Sequence, residues 1–171
     1  MANITYITSL ADKFIKKYGT RDPEKIAKEL GVTIMECSFS KQKGVYKIIK
    51  RNRFIFINNN LDEITRKIVL WHELGHDTLH RAEAAKIGAF QEFNIFNMGK
   101  NRMEYEANIF AAQLALSDDD VLECIEMGYD VEQIATTLGS DINLVALKID
   151  TLISQGYLLR KQEHKSDFLK Y

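Results

Sequence analysis

The sequence predicts an α+β protein, mainly helical, with a small antiparallel sheet and a C-terminal helical subdomain. Three observations predict it. Apolar residues recur at helical spacing on both sides of residues 44–57, two β-rich runs lie inside that interval, and capping residues or glycines bound the segments. At 171 residues the chain suits a first domain over 1–120 and a helical subdomain with its tail over 121–171, long enough to bury a core.

From residue 5 to 18, Ile7, Leu10, Phe14 and Ile15 repeat at helical spacing and predict an amphipathic helix. Asp22-Pro23-Glu24 starts the next: a capping carboxylate, a proline where no N–H is needed, and an acid in the first turn. Ile26, Ala27 and Leu30 share one face of that helix, which ends at Gly31. Val32–Met35 reads as a strand. The runs 44–49 and 54–57, joined by Lys50-Arg51-Asn52-Arg53, read as a hairpin. Asn58-Asn59-Asn60 breaks the second run, and Asp62 or a nearby Asn caps a helix reaching about His80. Residues 81–100 are the least regular, with Gly88, Gly99 and the rings Phe90, Phe93 and Phe96. A helix over 102–116 follows, and Ser117-Asp118-Asp119-Asp120 caps another. Segments 131–138 and 143–155 read as two helices joined by a short turn at Gly139. The tail from Arg160 is polar, and no fixed-period repeat occurs.

Composition removes several function classes. Hydrophobic residues make up 46% and charged residues 27%, which sets disordered and fibrous classes aside. With 23 basic and 24 acidic side chains the net charge is -1, so nothing draws the whole chain to nucleic acid or an anionic membrane. No apolar run approaches the ~20 residues that span a bilayer. Residues Met1–Tyr6 lack a basic and then apolar leader, so the cytoplasm is the expected location. Cys37 and Cys124, far apart and outside any Cys-x-x-Cys spacing, read as free thiols.

The chemistry concentrates in two stretches. Of four histidines, three lie within nine residues: His72, His76 and His80. His72-Glu73-Leu74-Gly75-His76 is an H-E-x-x-H pattern inside an expected helix. Positions i and i+4 share a face, so two imidazoles can converge on one tetrahedral ion, with Glu73 placed to reach a water beside it. Chance yields this pattern in roughly one such chain in a hundred-odd, so the motif alone is suggestive. A third ligand is needed. His80 lies ~12 Å from His72 along a continuous helix, too far to share the ion. It reads as a residue behind the ligands or on the pocket wall, with plain packing as the alternative.

Downstream, Glu104 and Asn108 are four apart and share a helical face. If that face opposes the histidines, Glu104 can ligate the metal and Asn108 can accept from the far nitrogen of a ligand ring. Glu106 sits roughly 200° around the helix from Glu104 and is not expected to share that job. A solvated charged face is the ordinary fate of such a Glu-x-Glu.

Taken together, His72-Glu73-Leu74-Gly75-His76 with His80, then Glu104-Tyr105-Glu106-Ala107-Asn108-Ile109-Phe110-Ala111, resemble the ImmA/IrrE family of gluzincin-type metallopeptidases. The resemblance covers roughly residues 10–120 and includes the hairpin and the helix ending at Gly31. Leu114-Ala115-Leu116-Ser117 departs from the family's usual helix end, which touches no metal ligand. The resemblance implies a zincin-like domain holding one zinc ion on His72, His76 and Glu104, with Glu73 as the catalytic base. Tyr105 and His80 are candidates for stabilising the oxyanion. It also implies a narrow substrate, a helix-turn-helix repressor encoded on a mobile element or stress-response locus.

Two rivals come from other classes. Residues 134–148 have the Ala and Gly spacing of a helix-turn-helix, which suggests a DNA-binding regulator. Yet residues 131–160 carry only Lys148 and Arg160 against Glu132, Asp141 and Asp150, so direct nucleic-acid binding is not expected. The other rival is a protein-binding module that keeps the fold without turnover, against which the intact Glu73 counts. The rings of Phe90–Phe96 suit a substrate-docking lip, although core packing is their commoner fate.

Overall fold

The computed structural model describes residues 3–87 and 98–160. Helix α1 (Ile4–Tyr18) opens with Asn3 Oδ1 accepting from the Tyr6 N–H. Asp22 caps α2 (Pro23–Leu30) through the N–H groups of Glu24 and Lys25, and Gly31 closes it at φ 71°. That left-handed turn delivers the chain directly into β1 (Val32–Cys37).

Strands β2 (Gly44–Ile49) and β3 (Asn52–Asn58) form the expected antiparallel hairpin. Its turn is tighter than the sequence suggests, because only Lys50 and Arg51 lie outside the strands, at φ 48° and 69°. Two successive positive φ values match the twist of a two-residue hairpin. β1 adds in parallel to the other edge of β3, so the sheet is mixed, in the order β1-β3-β2. β1 and β2 run oppositely with a one-strand gap between them, and β3 fills it.

Asp62 caps α3 (Glu63–Leu79) by accepting from the Thr65 N–H at 2.9 Å. Immediately after His80, α4 (Arg81–Ile87) is helical, more regular than expected for this stretch. The rings Phe90, Phe93 and Phe96 lie outside the described residues, as does the tail beyond Arg160. Then follow α5 (Met98–Ala115), α6 (Asp118–Glu126), α7 (Val131–Leu138) and α8 (Ile142–Ser154).

α3 and α5 pack along each other at the centre. The sheet covers α3 on one side, while α1 and α8 lie against α5. The core is continuous from Ile55 and Ile57 of the sheet through Leu70, Leu74, Phe110 and Leu114 to Leu144 and Leu147 of α8. Phe14 of α1 meets Phe110 edge-on, with centroids 5.6 Å apart. At the end of α5, the carbonyls of Gln113 and Leu114 would be orphaned. Both accept from Arg21, at 2.9 and 2.8 Å. Both cysteines are free. No described helix is long and apolar enough to cross a membrane.

Candidate metal centre

The site begins with how closely α3 and α5 approach. A Cβ added to Gly75 would lie 3.0 Å from Ala107 Cα and 3.1 Å from its carbonyl oxygen. Only hydrogen at position 75 and a methyl at 107 allow that contact. It brings the third and fourth turns of α3, which carry His72 and His76, within side-chain reach of the α5 turn that carries Glu104.

Across this crossing three groups converge. His72 and His76 present their Nε2 atoms 3.1 Å apart. A Glu104 oxygen lies 3.3 Å from His72 Nε2, and its other oxygen 3.6 Å from His76 Nε2. Ligands of a tetrahedral zinc at ~2.1 Å stand about 3.4 Å from one another, and the three separations bracket that value. Among the described residues, His72, His76 and Glu104 form a group able to hold a metal ion. Electron pairs crowded this closely repel unless a cation or proton lies among them. His76 and Glu104 keep 16% and 18% side-chain exposure, enough of an opening for water or a peptide. Donor set, spacing and opening all fit a divalent ion.

The far side of each ring is also occupied. His72 Nδ1 lies 2.7 Å from Asn108 Oδ1. An amide oxygen only accepts, so the ring carries its proton on Nδ1 and leaves Nε2 as an electron-pair donor. Asn108 therefore stands where its spacing from Glu104 suggested. His80 is outside the group of three and touches His76 instead, Nδ1 to Nδ1 at 3.1 Å. Sequence reasoning missed Glu106. It stays out of the metal group, as expected, but its carboxylate reaches His80 Nε2 at 3.1 Å and Arg102 at 2.8 Å.

Glu73 is buried beside the group without belonging to it. Burial holds its carboxyl above the usual range and Glu104 adds to this, against the pull of His72, His76 and the Tyr46 N–H. For His72, burial disfavours the charged ring, but Glu104 and Glu73 outweigh it and raise the value. Glu104 also resists ionisation through burial, yet contacts with both histidines hold it far below the ordinary range. Each acidic group thus has a distinct setting, set by its neighbours.

Gly44 keeps β2 close to α3: a Cβ there would lie 2.5 Å from Val69 Cγ1 and 3.4 Å from Glu73 Oε1. A buried carboxylate fixes this arrangement. Asp77, one residue past His76, accepts from Tyr46 of β2 at 2.7 Å, Arg53 of β3 at 2.9 Å and Arg81 of α4 at 2.9 Å. Arg53 also reaches the Leu30 carbonyl at the end of α2. Tyr105, one residue past Glu104, is partly buried. It packs against the core, and its phenol is raised by burial and by the charge of Asp150 on α8.

A buried H-E-x-x-H helix, crossed by a second helix whose glutamate faces both histidines, defines the metallopeptidase class of site. The model of the peptidase family described as the IrrE N-terminal-like domain matches residues 27–150, and the chain belongs to that family. It is 34% identical over 145 residues to "Uncharacterized immunity region protein 2" of Bacillus phage phi105, covering 84% of this chain and 89% of that protein. It is 30% identical over 125 residues to "Metallopeptidase ImmA" of Bacillus subtilis (strain 168), covering 71% of this chain and 70% of that one.

Proposed function

We propose that this chain is a zinc-dependent endopeptidase whose substrate is a helix-turn-helix transcriptional repressor of a phage or mobile element. The observation that carries the reading is the convergence of His72 Nε2, His76 Nε2 and the Glu104 carboxylate. The similarity to a phage immunity region protein supports the regulatory setting. His72, His76 and Glu104 would hold the one zinc ion. Bound there, the ion supplies Lewis acidity, lowering the pKa of water and polarising a peptide carbonyl.

The chain's own residues do the rest. Glu73 takes the proton of the attacking water and later delivers it to the leaving amine. Burial and Glu104 hold its carboxyl above the usual carboxylate value, which makes it a stronger proton acceptor than an exposed glutamate. Asn108 holds the His72 ring in the tautomer that points an electron pair inward. Residues 1–120 form the catalytic part, and 121–171 support it through α8, whose residues 144–149 are all buried against the rest. That burial also counts against DNA recognition by the α7–α8 pair, since a recognition helix must offer a face to the groove.

The test is incubation with the helix-turn-helix regulator encoded beside this gene, with and without a chelator. Chelation should stop cleavage. Glu73→Gln should keep zinc and fold while lowering cleavage by about 10²- to 10⁴-fold, the usual contribution of a general base. Cleavage surviving in Glu73→Gln would remove Glu73 from its role.

A further inference from the structure

We propose that Glu106 and His80 are positioning residues that act in series to present the His76 ring to the metal. This rests on the reading of His76 as a ligand, and it extends that reading to two residues that touch neither metal nor substrate.

The order of protons follows from the last member of the chain. A carboxylate only accepts, so the contact between Glu106 Oε2 and His80 Nε2, 3.1 Å, places the His80 proton on Nε2. Neutral His80 then has its electron pair on Nδ1. That atom faces His76 Nδ1 at 3.1 Å, so the proton of this contact belongs to His76. With its proton on Nδ1, His76 has its electron pair on Nε2, the atom that faces His72 and Glu104. One carboxylate therefore sets the polarity of two rings.

Without Glu106 the polarity can reverse. His80 would be free to carry its proton on Nδ1 and donate to His76 Nδ1. His76 would then hold its own proton on Nε2, pointing into the space the ion must occupy. Both arrangements keep one His76–His80 hydrogen bond; the acceptor beyond His80 favours the first, while a proton on His76 Nε2 would face His72 and Glu104 and compete with the ion for that place.

The elements make the relay rigid. His80 sits at the C-cap of α3, its N–H donating to the His76 carbonyl at 3.0 Å, and its side chain is buried. Glu106 uses its second oxygen to accept from Arg102, one turn earlier on α5, at 2.8 Å. The relay thus joins the end of α3 to the middle of α5. His72 is held by a direct acceptor and His76 by one reached through a second ring.

The experiment measures zinc affinity by competition with a chromogenic chelator, alongside the melting temperature of the metal-free protein. Glu106→Met should weaken zinc binding by about 10- to 100-fold, the usual cost of losing such a partner. Glu106→Gln retains an acceptor oxygen and should restore the affinity to within about threefold of the parent. In a His80→Gln background the amide itself can accept from His76, so Glu106→Met should there cost nothing further. If Glu106→Met does not fold, Glu106→Ala takes its place. Affinity unchanged in Glu106→Met, or equally weak in Glu106→Gln and Glu106→Met, overturns the proposal. Failure of the parent itself to bind one zinc ion would instead remove the metal reading on which it rests.

Discussion

Two polar clusters sit on α5, and they meet the same electrostatic problem in opposite ways. Near its start, His72, His76 and Glu104 bring three ligand atoms together with no Lys or Arg of the described residues among them. Near its end, Gln113, Asp118 and Asp12 also converge, but Lys148 supplies the cation: its ammonium donates to Gln113 and Asp118, while the Gln113 amide donates to Asp12 at 2.8 Å and Asp118 at 3.1 Å. Lys148 is fully buried, and burial pushes its value down against the pull of Asp118. The difference separates a site from a staple. A cluster with a fixed cation of its own holds the fold together, whereas one whose only counter-charge is a ring proton can exchange that proton for a metal ion.

The sharpest way to break this comparison is to truncate one member of each cluster. Glu104→Ala should cost zinc affinity on the order of 10³-fold in a chelator titration, since one of three protein ligands is gone. The metal-free fold should survive, because crowded acceptors are relieved. Lys148→Met should do the reverse. It leaves the buried Gln113 oxygen without its donor and the partly exposed Asp118 without its cation, at a cost of about 2 kcal/mol, and should lower the melting temperature by roughly 6 °C for a chain of this size. Zinc stoichiometry in the folded fraction should stay at one. A Lys148→Met protein of parental stability would show that the comparison is mistaken.

Asn108→Ala sharpens it at smaller scale. Zinc affinity should fall by about tenfold, the lower end for loss of a partner to a ligand ring. The smallest expected effect concerns pH. Burial resists ionisation of Glu106, but contacts with Arg102 and His80 outweigh this and hold its carboxyl below the ordinary value. Such a group contributes stability that is full above the unfolded value and lost as pH falls through the folded one. In the metal-free protein, Glu106→Gln should therefore lose less melting temperature than the parent between about pH 5 and pH 3. Parallel curves for the two proteins would contradict that.

Local chemistry made much of this legible in sequence. Asp22-Pro23 and Asp62 announce helix starts through caps that need only their own neighbours. The i, i+4 rule puts His72 with His76 and Glu104 with Asn108, and the structure brings both pairs to one place. What escaped depends on contacts between distant segments. The insertion of β3 between β1 and β2 is a pairing choice that no local pattern encodes. Asp77 reads as an ordinary helix residue until β2, β3 and α4 deliver Tyr46, Arg53 and Arg81 to it. Glu106 was set aside by its angle around α5, but a long side chain can swing back toward a neighbour that angle alone does not reveal.

Swapping a mid-helix glycine for alanine ordinarily gains about 1 kcal/mol, and it is among the first changes tried when a more heat-resistant variant is wanted. Gly75 reverses that expectation, because the added methyl would press on the Ala107 backbone and lever Glu104 away from the imidazoles. An engineer of this enzyme should leave that spot alone and work at the hairpin tip, where Lys50-Arg51 occupies a bend that Asn-Gly adopts more readily.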